Sequence, residues 1–115
     1  MSEFDLIASY FTWDNSSTNS SHDQSLSEQT SKIIKSVGDD AAVLSLAPSR
    51  ELVTSIDTLV SGVHFPPNTK PFDIGYKSLA VNLSDLAAMG AKPEWFTLAL
   101  TLPDIDHKWL EGFSQ

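Results

Sequence analysis

The sequence predicts an α+β domain, and three stretches carry that expectation. Phe72, Tyr76, Leu79, Leu83 and Leu86 recur at helical spacing. The run Trp95–Leu102 alternates with period two. Two short apolar runs, Ala42–Leu46 and Leu52–Ile56, flank the turn-forming Pro48-Ser49-Arg50-Glu51. Helical and strand periods within one chain of 115 residues describe a single compact unit of mixed structure.

From the N-terminus, Phe4, Ile7 and Phe11 mark a short amphipathic helix over Glu3–Trp13. Residues 14–31 are almost wholly Ser, Asn, Thr, Gln and charge, with Leu26 the one large apolar side chain. Such a stretch buries too little to offset its ordering entropy and reads as a mobile polar loop. The runs Ala42–Leu46 and Leu52–Ile56 then form a hairpin. Leu59–Phe65 continues as an irregular strand, broken at Gly62 and stopped by Pro66-Pro67. The main helix spans Asp73–Met89, with Asp73 as N-cap, Gly90 as stop and the five-residue stripe facing the core. Trp95–Leu102 is a strand ended by Pro103. Asp104 or Asp106 caps a last helix that starts with Trp109, Leu110 and Phe113, and the end at Gln115 reads as cut.

Composition narrows function. Seven Lys+Arg against 15 Asp+Glu give a formal charge of -8, which repels nucleic acid and anionic membrane surfaces and favours cations. Cysteine is absent, so disulfides, thiolate metal sites and cysteine nucleophiles are excluded. No apolar run is long enough to span a bilayer and the acidic start is unlike a signal peptide, so a cytoplasmic protein is expected.

Three acidic positions stand out: Gly38-Asp39-Asp40 before the first predicted strand, Asp57 after the second, and Asp85 in the helix. Carboxylates at strand ends suit a hard cation such as Mg²⁺, which takes oxygen ligands and shares them with phosphates. Asp85 lies about 100° from Leu86 and 200° from Leu83, at the border of the apolar stripe. Each position also has a plain structural reading. Gly-Asp-Asp is a common turn, Asp57 can cap a turn, Asp85 can be a solvated helix residue and His64 a core histidine. No P-loop or Ser-His-Asp pattern is present.

Taken in order, Gly38–Leu44, Ser55–Phe65 and Gly75–Ala91 closely resemble the motifs of thiamine-monophosphate kinases. Glu3–Ile7 and Pro93–Pro103 fit as well. The resemblance implies an N-terminal α/β domain like that of aminoimidazole ribonucleotide synthetase, with a mixed sheet, packed helices and a homodimer formed through this domain. It implies phosphoryl transfer from ATP to thiamine monophosphate with several Mg²⁺ ions. Asp40, Ser55, the backbone of Ile56, Asp57 and Asp85 are then metal ligands, with Asp39 a close neighbour of the metal and His64 a contact to thiamine monophosphate. Ile56 stands where the family usually has Thr, so its ligand is the backbone carbonyl. The family's later Gly-Gly-Asp motif, the nucleotide contacts expected beyond Gln115 and the C-terminal domain are not among these residues. The resemblance thus makes this chain the first third of an enzyme, incomplete as a domain and inactive alone. A non-catalytic dimerisation or metal-binding module and another ATP-using member of the superfamily are the alternatives. The lack of cysteine weighs against selenophosphate synthetase.

Overall fold

The computed structural model describes residues 3–11 and 31–115, in the order α1 (Glu3–Tyr10), β1 (Lys32–Lys35), β2 (Val43–Ser45), α2 (Pro71–Ala88) and α3 (His107–Phe113). Helices with a small antiparallel sheet make this an α+β arrangement. The chain divides into two compact units, Met1–Leu52 and Val53–Gln115. The predicted polar loop lies, apart from Ser31, outside the described residues, as does Trp13 at the end of the predicted first helix.

In the first unit, β1 pairs antiparallel with β2, Lys32 opposite Ser45 and Ile33 opposite Leu44. The register shifts between Ile33 and Lys35, which leaves Ile34 as the extra residue of a bulge. This corrects the expected hairpin. The partner of the Val43–Ser45 run is Lys-Ile-Ile-Lys upstream, and residues 52–56 form no strand. A strand exists only where a second backbone completes its ladder, and an apolar run does not reveal which backbone that is. Gly38-Asp39-Asp40 therefore lies in the loop joining the two strands. Gly38 holds φ at 103°, a conformation that favours glycine. Pro48-Ser49 makes a separate turn closed by Arg50 N–H donating to the Ala47 carbonyl at 3.2 Å. Ala47 is buried, and its N–H donates to Ser31 Oγ at 2.9 Å.

The second unit is built on α2 and α3. Helix α2 starts two residues before the expected Asp73, because Pro71 takes the first helical position, where its missing N–H costs nothing. Lys70 is the N-cap, and Asp73 instead places negative charge in the first turn, where the helix dipole favours it. The C-terminus is as expected. Gly90 has φ 66°, its N–H donates to Ala87 O at 3.0 Å, and Ala91 N–H donates to Leu86 O at 2.9 Å. That pair of bonds is a Schellman stop. Asp106 caps α3, its Oδ1 accepting from the N–H groups of Lys108 (2.9 Å) and Trp109 (3.1 Å).

The two helices pack together, and each contributes one buried apolar residue, Ile74 and Leu110, the latter only 1% exposed. Gly75 and Gly112 make the approach possible. A Cβ on Gly75 would collide with the Phe113 carbonyl, and one on Gly112 would lie 3.3 Å from Pro71 Cβ. Four of the five residues of the expected core stripe are exposed, and only Leu86 is half-buried. Tyr76 is 70% exposed, and Phe72, Leu79 and Leu83 are also exposed. Helical spacing identifies an apolar face; α3 docks on the neighbouring face, where glycine lets the backbones close in. The alternating run 95–102 and the expected strand at 59–65 are likewise not strands, because neither finds a partner ladder; Ser61 and Phe65 share only an isolated bridge.

Candidate functional site

The residues singled out in the sequence divide between the two units. In the first, the two aspartates of the β1–β2 loop do different things. Asp39 Oδ2 accepts from Lys35 Nζ at 2.7 Å, and its Oδ1 accepts from the N–H of Asp40 at 2.9 Å. The Lys35 ammonium, and then the Asp40 N–H, hold the Asp39 carboxyl below the usual carboxylate range. Asp39 is the turn-former of the pair. The Asp40 side chain is exposed and has no ion-pair or hydrogen-bond partner among the described residues.

In the second unit, Ser55 Oγ donates to Asp85 Oδ2 at 3.0 Å, joining two positions 30 residues apart. Helix α2 supplies the rigid side of this contact and the non-helical segment after Leu52 the other. Asp57 and the 91%-exposed Ile56 follow Ser55 directly. Neither Asp57 nor Asp85 has an ion-pair partner among the described residues. On α2, Asn82 lies three residues before Asp85, on the same flank. Its Nδ2 donates to Ser78 O at 2.9 Å, while its Oδ1 is buried without a partner in the described structure. An acceptor left in that state is costly to the fold, because its lone pairs are taken out of water with no donor to replace it. Asn82 is not among the residues singled out in the sequence; an Asn on a helix carries no local signal that its side-chain oxygen is buried.

His64 is held by a tight loop of six residues. The N–H groups of Val63 (3.1 Å) and His64 (2.9 Å) both donate to Val60 O, and Gly62 N–H donates to Phe65 O at 2.8 Å. Val60 N–H in turn donates to His64 Nδ1 at 2.9 Å. With Nδ1 engaged as acceptor, the neutral ring carries its proton on Nε2, leaving an N–H donor on an exposed side chain. His64 is thus not a core histidine. Lys77 of α2 donates from Nζ to the His64 carbonyl at 2.6 Å. Among the described residues no group of three or more His, Asp or Glu gathers closely enough to hold a metal ion by itself. No described helix is long and apolar enough to cross a membrane.

Residues 38–115 match the family described as AIR synthase related protein, N-terminal domain, a match that begins at the loop glycine Gly38 and covers both α2 and α3. The chain belongs to this family. Within the AIR synthase related family, it is 52% identical over 112 residues to a thiamine-monophosphate kinase of Escherichia coli, covering 97% of this chain and 31% of that protein. The corresponding protein of Haemophilus influenzae is 44% identical over 115 residues, 100% of this chain and 31% of its own length. That of Bacillus subtilis is 43% identical over 77 residues, 66% of this chain and 23% of its own. The chain therefore matches between about a quarter and a third of the length of these curated relatives.

Proposed function

We propose that the protein is a thiamine-monophosphate kinase, moving the γ-phosphoryl group of ATP onto thiamine monophosphate to give thiamine diphosphate and ADP. The activity is that of a protein of its relatives' full length, to which this chain contributes a metal-binding and acceptor-binding part. Similarity to enzymes of that name over nearly the whole chain supports the reading. The structural observation that carries it is the Ser55–Asp85 hydrogen bond, which unites two residues expected from the motifs to share a ligand.

Magnesium fits the donor set. Asp40, Asp57 and Asp85 offer carboxylates, Ser55 a hydroxyl and Ile56 a backbone carbonyl, all hard oxygen donors. The partnerless Oδ1 of Asn82 beside Asp85 adds another oxygen to that flank. Bound Mg²⁺ supplies charge neutralisation between two phosphates that otherwise repel. The chain's own groups bind and orient. Asp85 accepts from Ser55, which fixes the carboxylate on one side and leaves its other oxygen free. His64 presents Nε2–H toward a phosphate oxygen of thiamine monophosphate. Transfer is direct: an acceptor phosphate oxygen forms the new P–O bond as the bond from the γ-phosphorus to the bridging oxygen breaks, and ADP leaves with that electron pair. Asp39, paired with Lys35, is the motif's neighbour to the ligand Asp40 rather than a ligand itself. Homodimerisation through this domain, a fuller mixed sheet and a cytoplasmic location belong to the same reading. The open stripe of Phe72, Tyr76, Leu79 and Leu83 is in keeping with a dimer face.

The test is conversion of thiamine monophosphate and ATP to thiamine diphosphate and ADP by the intact protein, with Mg²⁺ and with excess chelator. Turnover that needs Mg²⁺ is expected. ATP hydrolysis without thiamine diphosphate would point instead to another ATP-using member of the family.

A further inference from the structure

We propose that Lys77 is the positioning residue for His64, and that it sets how the imidazole is presented to a phosphorylated acceptor. The inference rests on the proposed role of His64, and its geometry is independent of that role. The loop 60–65 is closed by its own backbone: Val60 O takes two N–H donors, Gly62 bonds Phe65, and the imidazole Nδ1 takes the Val60 N–H. Nearly all of its residues are exposed, with only Phe65 half-buried. A loop held by solvent-exposed backbone bonds and little packing opens readily. Its hydrogen bond to α2 comes from Lys77, whose ammonium reaches the carbonyl of His64 itself at 2.6 Å.

The placement is selective. The ammonium engages the backbone of the same residue whose side chain is oriented by Val60, so the peptide unit and the ring of His64 are both fixed, one from the helix and one from the loop. A charged donor on a carbonyl is stronger than a neutral one. Helix α2 also carries Asp85 two turns further along, so the same rigid rod positions the carboxylate and the histidine. Among the described residues the Lys77 ammonium bonds the His64 carbonyl and pairs with no carboxylate, so it acts through His64.

The experiment is ¹⁵N NMR of the imidazole and amide exchange at Val60, in the protein and in its Lys77→Met, Lys77→Gln and Lys77→Arg variants, together with steady-state kinetics on thiamine monophosphate. Lys77 is exposed, so the fold is expected to survive each change, and the remaining amide signals check that it does. The unmodified protein should show one neutral His64 tautomer with the proton on Nε2. In Lys77→Met and Lys77→Gln the two ring-nitrogen signals should move toward each other and Val60 exchange should quicken about tenfold, the effect of losing one charge-assisted hydrogen bond. Lys77→Arg should restore both. KM for thiamine monophosphate should rise about tenfold in the Met and Gln variants with kcat nearly unchanged. An unaltered tautomer and unaltered Val60 exchange in both variants would overturn the proposal. So would the spectroscopic change without a rise in KM in an active enzyme. If the unmodified protein converts no thiamine monophosphate, the kinase reading fails, and the spectra still decide whether Lys77 holds His64.

Discussion

Asp39 of the β1–β2 loop and Asp85 of α2 are handled in opposite ways. Asp39 has its own cation, Lys35, four residues away on the same hairpin, and its second oxygen is spent on the next backbone N–H. Asp85 has no cation among the described residues; a neutral hydroxyl from a distant segment holds it instead. A carboxylate neutralised within its own turn serves the turn. One oriented by a neutral donor and left with its charge is suited to bind a cation from outside. Asp40 belongs with Asp85 in this respect, although it is next to Asp39 in sequence.

That contrast can be broken most sharply at the two neighbours. Asp40→Asn should lower kinase turnover about a hundredfold or more, the scale of removing a charge that steadies a developing transition state. Asp39→Asn should stay within a few-fold. Equal losses at both positions, measured as kcat with Mg²⁺ saturating, would erase the distinction. Next in size is Gly75→Ala, which forces a Cβ into the Phe113 carbonyl and should cost about 1–3 kcal/mol in denaturant unfolding, the range for overpacked sites. A cost near zero would mean that α3 is not docked tightly on α2. Asp106→Ala should remove about 1 kcal/mol by unsatisfying two N–H groups of α3.

The smallest effect concerns pH. Asp39 titrates below the usual range because of Lys35, so the Lys35–Asp39 contact steadies the loop above the carboxylate's unfolded value and is lost as pH falls through its lower folded value. Lys35→Met should move the Asp39 titration up toward an ordinary carboxylate, followed by NMR of its side chain. No change on substitution would show that Lys35 does not hold it.

How much of this was legible in the sequence depends on what kind of contact was involved. Local signals read through: the Gly90 stop and the Asp106 cap are written in one or two residues each. The partner of Val43–Ser45 was not, because Lys32–Lys35 is only four residues long and a strand's partner leaves no mark on its own pattern. The stripe on α2 was correctly apolar and wrongly assigned to the core, since Gly75, not the stripe, decides where α3 docks. In Gly38-Asp39-Asp40, the turn reading and the ligand reading stood as alternatives; the structure gives the turn to Asp39 and leaves the Asp40 carboxylate without a partner among the described residues. Spacing alone could not pair Ser55 with Asp85, and the motif resemblance named both without predicting the bond between them. Lys77 left no signal at all. A lysine on a helix reads as solvated, and its acceptor is a backbone carbonyl that any residue would have supplied.

Asp85, held by Ser55, is the proposed cation ligand on which the phosphoryl-transfer site depends. The most direct measurement is the Mg²⁺-dependent formation of thiamine diphosphate by Asp85→Asn in the intact protein, with circular dichroism and thermal unfolding as controls for the fold. Turnover lowered by orders of magnitude at saturating Mg²⁺, with unfolding unchanged, is the predicted result. Near-normal turnover in that variant would contradict it.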